Sequence, residues 1–200
     1  MKLYDDPDSG NGYKVRLLLS LLATPYDLVE VDAIGGETRR DAFLKLNPNG
    51  RIPLLELDDG THLPESNAIL FYLAEGTAYL PDDRLGRARA LQWMFFEQYS
   101  HEPYIAVLRY WTRHTDKTPQ NEPQWPAREQ AGYAALGVME QALGACDWIA
   151  GSRPSIADIS LYAYTHVADQ GGFDLAGFPG VRAWLNRVAE LPGYAPFVAR

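Results

Sequence analysis

One change of pattern constrains this chain more than any other feature. Up to about residue 75, short apolar runs alternate with amphipathic stretches; beyond Gly76 every patterned stretch is helical. Lys2-Leu3-Tyr4 reads as a short strand that stops at the turn-rich stretch Asp5 to Gly12. Between Tyr13 and Ala23, the residues Val15, Leu18, Leu19 and Leu22 recur at i, i+3, i+4 and i+7, which predicts an amphipathic helix. Pro25 ends it, and Tyr26 to Val31 reads as a second strand. Glu37 to Leu46 is a second helix, stopped by the turn Asn47-Pro48-Asn49-Gly50. Pro53 to Leu57 is a strand that Asp58-Asp59-Gly60 folds back onto Thr61-His62-Leu63, because Asp-Gly supplies the positive φ of a tight hairpin. Ser66 opens a helix carrying Ile69, Leu70 and Leu73. The order β-α-β-α-β-β-α implies a small mixed four-stranded sheet.

The second half lacks strand signals. Gly76 to Pro81 is a linker, and Leu85, Ala88, Gln92, Phe95, Phe96 and Tyr99 mark one stripe of a long helix that Pro103 kinks or breaks. Lys117 to Pro126 is a polar, proline-rich turn. Ala131, Ala134, Ala135, Val138 and Ala142 give the next helix a small-residue face suited to close packing. Ser155 opens a third helix, and Pro179-Gly180 opens a fourth that ends before Pro192-Gly193. The expected architecture is α/β plus all-α, with a sheet domain over 1–77 and a helical domain over 84–200.

Charge and cysteine content narrow the function classes. Eighteen basic residues against 26 acidic ones give a net charge of −8 and no basic face, which argues against nucleic acid as a partner. A lone cysteine, Cys146, forms neither an internal disulfide nor a thiolate zinc site. His62, His101, His114 and His166 have no paired helical spacing, so no metal is expected. The longest apolar run, Leu17 to Ala23, is broken by Ser20 and falls well short of the about 20 residues that span a bilayer. Asp5, Asp6 and Asp8 are unlike the start of a signal peptide. A cytoplasmic protein without a membrane partner is expected.

Two short motifs carry chemistry. Pro53 has no amide to donate, and its place between a turn and a hairpin, after a β-α-β unit, resembles the thioredoxin-like layout. There a cis proline turns the backbone of the preceding residue, here Ile52, toward a ligand. Glu65-Ser66 stands at a helix start, where Ser66 serves as a cap and Glu65 meets the positive helix end. The same helix start can receive a ligand carboxylate, with Glu65 pairing a nearby ammonium. A zwitterionic amino-acid end fits both groups at once.

Taken in order, Asn47-Pro48-Asn49-Gly50-Arg51-Ile52-Pro53, then Pro64-Glu65-Ser66-Asn67-Ala68-Ile69, then an all-helical second half, the chain is similar along its length to the cytosolic glutathione transferases. Ser155-Ile156-Ala157-Asp158 resembles that family's capping box, in which Ser155 caps the helix and Asp158 reaches back to the Ser155 amide, together worth about 1–2 kcal/mol. By resemblance, the residue that activates the glutathione thiol lies in Asp8-Ser9-Gly10-Asn11-Gly12, a stretch that otherwise reads as a plain turn into a helix. Ser9 fits the activating role and Asn11 a supporting one, as in serine/threonine-type, bacterial-like members. Tyr4 is the runner-up, and the absence of a cysteine near Ser9 excludes the branches that use a covalent cysteine.

The resemblance also implies that Ile52, Pro53, Glu65 and Ser66 anchor the tripeptide. Its glycine carboxylate meets a cation near the start of the second helix, with Thr38 and Arg39, the neighbouring Arg40, or Arg51 as open alternatives. His101, Tyr104, Leu108 and Trp111 share a helical face that either lines a second-substrate site or is plain core; Arg109 and Arg113 either greet a polar co-substrate or are solvated. Gly10-x-Gly12 after a strand, with Asp32 further on, is not a dinucleotide fingerprint, since Val15 stands where a third glycine belongs and the hairpin spoils a parallel sheet. The expected activity is glutathione transfer to an electrophile. Alternatives are glutathione-dependent disulfide or peroxide reduction, and a non-catalytic interaction module. Glutathione is expected as a co-substrate with no bound cofactor, and the chain as a homodimer.

Overall fold

The first two strands pair in parallel because the chain crosses over through a helix between them. A computed structural model describes residues 1–198. Strand β1 (Lys2–Asp5), helix α1 (Gly10–Leu21), β2 (Asp27–Glu30), a 3₁₀ turn at Glu37–Arg39, α2 (Asp41–Leu44), β3 (Leu54–Glu56), β4 (His62–Pro64) and α3 (Ser66–Ala74) follow in that order. The sheet runs β2-β1-β3-β4, with β1 parallel to β2 and the other neighbours antiparallel. Alternation along the strands sends successive residues to opposite faces. Leu3 and Leu55 join Val15, Leu19 and Ile69 in one cluster, while Leu54 packs with Val31 and Phe43 in another.

Two local expectations need adjusting. Helix α1 starts at Gly10, so the turn-rich stretch is shorter than the sequence implied. The expected helix over Glu37 to Leu46 is split by Arg40, whose backbone is extended at φ −78° and ψ 149°. Competing side-chain bonds organise the approach to it: Asp32 Oδ1 accepts from the Gly35 amide, and Glu37 Oε2 accepts from the Asp32 amide.

The remaining elements are α4 (Arg84–Phe96), a π turn at Glu97–His101, α5 (Glu102–His114), α6 (Trp125–Leu143), α7 (Ile156–Thr165), a 3₁₀ turn at Ala168–Gly171 and α8 (Pro179–Ala189). Pro103 occupies the first turn of α5, where an absent amide costs nothing, and the π turn before it makes the break. Ile105, Leu108, Trp111, Trp125, Leu136, Tyr164, Ala168 and Phe173 form the core of this part. On α6 the buried residues are Trp125, Gly132, Ala135, Leu136, Met139 and Leu143, whereas Ala134 and Val138 face out. The close approach is made at Gly132, where a Cβ would stand 2.5 Å from the Phe173 ring. The capping box is present as expected. Ser155 Oγ accepts from the Ala157 amide at 3.2 Å, and Asp158 Oδ2 accepts from the Ser155 amide at 2.8 Å.

The chain divides into two compact units: Met1–Glu75 together with the chain from Leu191 on, and Gly76–Glu190. The tail thus departs from the helical domain that the sequence assigned to 84–200. It packs on α1 instead, where Ser20 Oγ donates to the Gly193 carbonyl and Tyr13 Oη to the Ala195 carbonyl, both at 2.7 Å. Gly193 has φ 84°, and a Cβ there would lie 2.9 Å from the Ser20 carbonyl oxygen. Among the described residues, no helix is long and apolar enough to cross a membrane.

Candidate active site

Ser9 is the N-cap of α1. Its backbone is extended at φ −77° and ψ 121°, and its hydroxyl oxygen accepts from the Gly12 amide at 3.1 Å. Capping and chemistry are compatible here. The bond to Gly12 uses a lone pair, so the hydroxyl proton remains a donor. Two residues on, Asn11 Oδ1 accepts from the Ser66 hydroxyl at 3.1 Å, which joins the opening turns of α1 and α3.

Ser66 therefore does not cap its helix. It is the first residue of α3 and buried, and its hydroxyl proton goes to Asn11. The N-cap is Glu65, at φ 73° and ψ 110° with no side-chain cap bond. A non-glycine residue there carries strain of the order of 1 kcal/mol or more, a feature that clusters at ligand clamps. The Glu65 side chain is exposed. The Ile52–Pro53 peptide is cis. Pro53 is buried, and Ile52 packs partly against Val31, Phe43 and Leu54.

The structure brings two of the candidate cations to one turn. Arg39 Nη1 donates to the Asn49 carbonyl at 3.0 Å, and Asn47 Nδ2 donates to the Arg51 carbonyl at 2.7 Å. Gly50 sits between them in the left-handed region at φ 60°, where a Cβ would come within 2.8 Å of Arg39 Nη1. Thr38 is buried, while Arg39, Arg40 and Arg51 are exposed.

Tyr4, the runner-up activator, has its hydroxyl engaged on the sheet. Its hydroxyl donates to Glu56 Oε2 at 2.6 Å, and this bond, with burial behind it, pushes the phenol above its ordinary range. Glu56 is held down to about 2 by the bonds it accepts from Lys2 and Tyr4. A phenol committed to a carboxylate is a poor donor to a thiolate.

Three of the four residues expected at a second-substrate site belong to the core of the helical unit. His101 and Leu108 are fully buried and Trp111 nearly so, while Tyr104 is half-buried. The Thr165 hydroxyl donates to the Leu161 carbonyl at 2.7 Å, so His101 Nε2, 2.9 Å from the same oxygen, carries a proton and donates. Lys117 Nζ lies 4.2 Å and Arg128 Cζ 5.1 Å from the centroid of the Trp111 ring. A helical stripe marks the face a helix buries and does not say whether protein or ligand covers it. Arg109 is also buried, with Nε donating to Gln170 Oε1 at 2.8 Å, and Arg113 is exposed. Among the described residues, no group of three or more His, Cys, Asp or Glu side chains is placed to hold a metal ion.

Sequence reasoning missed a buried pair beneath the first turn of α1. Asp5 is fully buried, and Arg16 Nε lies 3.0 Å from its Oδ2. Burial pushes the Asp5 carboxyl up to about 8, against the opposing pull of the Arg16 guanidinium. The signal was Gly12, where a Cβ would fall 1.6 Å from Asp5 Oδ1.

The amino-terminal glutathione S-transferase domain model matches residues 1–75, and the carboxyl-terminal domain model of the same family matches residues 91–192. This chain belongs to the glutathione S-transferase family. It is 34% identical over 206 residues to maleylacetoacetate isomerase of Pseudomonas aeruginosa, covering 98% of this chain and 92% of that protein. It is 32% identical over 190 residues to the disulfide-bond oxidoreductase YfcG of Escherichia coli, covering 91% and 87%. Among solved structures, a glutathione S-transferase of Pseudomonas fluorescens superposes with a TM-score of 0.96 at 50% identity, over 99% and 98% of the two chains. A glutathione transferase of Burkholderia graminis, solved with two glutathione molecules bound per subunit, gives a TM-score of 0.83 at 30% identity, over 96% and 84%.

Proposed function

We propose that this chain binds glutathione on its amino-terminal unit and holds the sulfur as a thiolate at Ser9 for attack on an electrophilic small molecule. The observation that carries this reading is the 3.1 Å bond from Ser66 to Asn11, which gathers the openings of α1 and α3 into one site. A free thiol has a pKa near 8.5, so at neutral pH only about a few per cent is ionised. The Ser9 hydroxyl, cradled by the Gly12 amide, donates its proton to the sulfur, and the positive end of α1 favours the anion. Lowering the thiol pKa by two units needs only about 2.7 kcal/mol. The thiol proton leaves to solvent, the thiolate forms a carbon–sulfur bond, and the leaving group departs with its electron pair.

Asn11 orients the ligand. Ile52, before Pro53, meets the peptide-like part of the tripeptide. The first backbone amides of α3, that of Ser66 among them, hold the amino-acid carboxylate, the Ser66 hydroxyl stays on Asn11, and Glu65 pairs the ammonium. Arg39 or Arg51 meets the glycine carboxylate. Glutathione is a co-substrate, and its thiol form suits a reducing cytoplasm. Of the second-substrate candidates, Tyr104 is the one outside the fully packed core. A homodimer accords with Phe95 and Tyr99, which α4 and the π turn leave exposed.

Ser9→Ala tests the reading. At saturating glutathione, kcat is expected to fall about 10- to 100-fold with glutathione affinity nearly unchanged. Collapse of binding with unchanged turnover of the bound enzyme would make Ser9 an anchor instead. Glu65→Ala is expected to act oppositely, raising the half-saturating glutathione concentration.

Glutathione-dependent disulfide reduction is the second reading. It is supported by the similarity to YfcG and to the Burkholderia graminis protein with its two glutathiones. Turnover on a disulfide measured beside turnover on an aryl halide separates the two activities. A non-catalytic module predicts no turnover on either, and the lack of any thermal stabilisation by millimolar glutathione would favour it.

A further inference from the structure

The turn that carries Ser9 is tied down by a side chain seven residues further on. Arg16 Nη2 donates to the Pro7 carbonyl at 2.9 Å and to the Ser9 carbonyl at 3.3 Å, while Nε lies 3.0 Å from the buried Asp5 carboxyl. Above it lie two aromatic rings, with Cζ 5.8 Å from the centroid of Tyr13 and 5.9 Å from that of Phe197. These rings meet edge to face at 5.1 Å, and the Tyr13 hydroxyl holds the Ala195 carbonyl. The guanidinium is thus held between the Asp5 carboxyl beneath α1 and the carboxyl-terminal segment of the chain.

We propose that Arg16 is a positioning residue of the thiol site, and that Phe197, by closing over it, makes the carboxyl-terminal segment part of the same device. This rests on the reading that glutathione sulfur is held at Ser9. The direction of a cap hydroxyl follows from the backbone that carries it. The Ser9 backbone is set by three bonds: its amide to the Asp6 carbonyl at 2.8 Å, the Tyr13 amide to its carbonyl at 2.9 Å, and the Arg16 bond to that same carbonyl. Arg16 also holds Pro7, the other end of the turn. Its donors face Asp5 and these carbonyls, so it acts through Ser9. A planar fork sets Nη2 on two carbonyls with Nε beside the Asp5 carboxyl; a lysine ammonium in this place keeps the charge and loses the geometry. Small misplacements of a catalytic group are costly, reaching about 10²-fold for 1 Å.

Two variants of the full-length chain test the proposal, read by steady-state kinetics with glutathione and an aryl halide or a disulfide. Arg16→Lys is expected to lower kcat about tenfold, to leave the glutathione KM within about threefold, and to move the pH–rate midpoint upward as the thiolate loses its aligned donor. Phe197→Ala leaves Asp5 and Arg16 in place and is expected to change kcat and the midpoint in the same direction by about threefold. The ultraviolet absorbance of bound glutathione thiolate reports the same shift without turnover. A merely structural role would lower the melting temperature and leave the midpoint of the folded protein unmoved. Wild-type kcat and midpoint in Phe197→Ala overturn the proposal, whether or not Arg16→Lys folds. Wild-type protein that neither binds glutathione nor turns over either substrate removes the underlying reading as well, and is recognised before any variant is made.

Discussion

Helices α1 and α4 are of similar length and both carry apolar residues at helical spacing, yet they use them in opposite ways. Helix α1 buries Val15, Leu18 and Leu19 of its four-residue stripe, with Leu22 at its C-cap partly exposed. Helix α4 buries Ala90 and Met94, and its expected stripe faces outward, with Leu85 59% and Phe95 70% exposed; Tyr99, in the π turn, is 83% exposed. Continuing along that buried face are Glu97 and His101, both fully buried. The contrast follows from what covers each helix. The apolar face of α1 is met by the sheet of its own unit, so size and periodicity point to the core. On α4 Phe95 faces away from the core while Ala90 and Met94 face it. Burial of apolar groups is a one-way rule, and a large exposed aromatic face is the informative exception.

The largest effect tests whether the helical unit depends on its local motif more than on its stripes. Asp158 is buried and accepts from the amides of Ile149 and Ser155, the Ser155 hydroxyl and the Trp184 indole. Asp158→Ala orphans all four donors and is expected to cost about 3–5 kcal/mol in urea denaturation, or to prevent folding. A loss under about 1 kcal/mol would mean the box is ornamental.

Next comes the comparison itself. Leu19→Ala in α1 is expected to cost about 2–5 kcal/mol, whereas Phe95→Ala in α4 is expected to stay within about 0.5 kcal/mol at concentrations where the chain is monomeric. Equal losses would erase the distinction between the helices. Phe95→Asp sharpens it: sedimentation should show dissociation if this face joins two copies.

A smaller effect concerns pH. The Asp5 carboxyl is raised from 3.8 to about 8 by burial, so between these values the folded chain holds a proton that the unfolded chain has released. Its contribution to stability is therefore full below about 4 and is lost as the pH rises toward 8. Melting temperatures measured across that window should fall more steeply for the wild type than for Asp5→Asn. Parallel slopes would contradict the assignment.

Much of the amino-terminal unit was legible because its signals are local. The Asp-Gly turn, the turn before α1 and Ile52-Pro53 each act within a few residues and each corresponds to a feature of the structure, as does the box at Ser155 in the helical unit. Ser66 was legible as the opening of a helix but not as the partner of Asn11, which lies 55 residues away. The Tyr4 bond to Glu56 was not legible, because it joins cross-strand neighbours that no periodicity reveals. His101, Leu108 and Trp111 were visible as a shared face, of which Leu108 and Trp111 join the core cluster and His101 is buried.

By itself, the sequence determined the element order, the turns and the capping box at Ser155, since these follow from backbone preferences and from bonds between near neighbours. Only the tertiary structure decided which face of α4 lies inside, that the tail packs on α1, and that Asp5 and Arg16 meet beneath the Ser9 turn. Those outcomes depend on the shape and charge of surfaces built from distant residues, and burial is a property of the assembled surface rather than of any one segment.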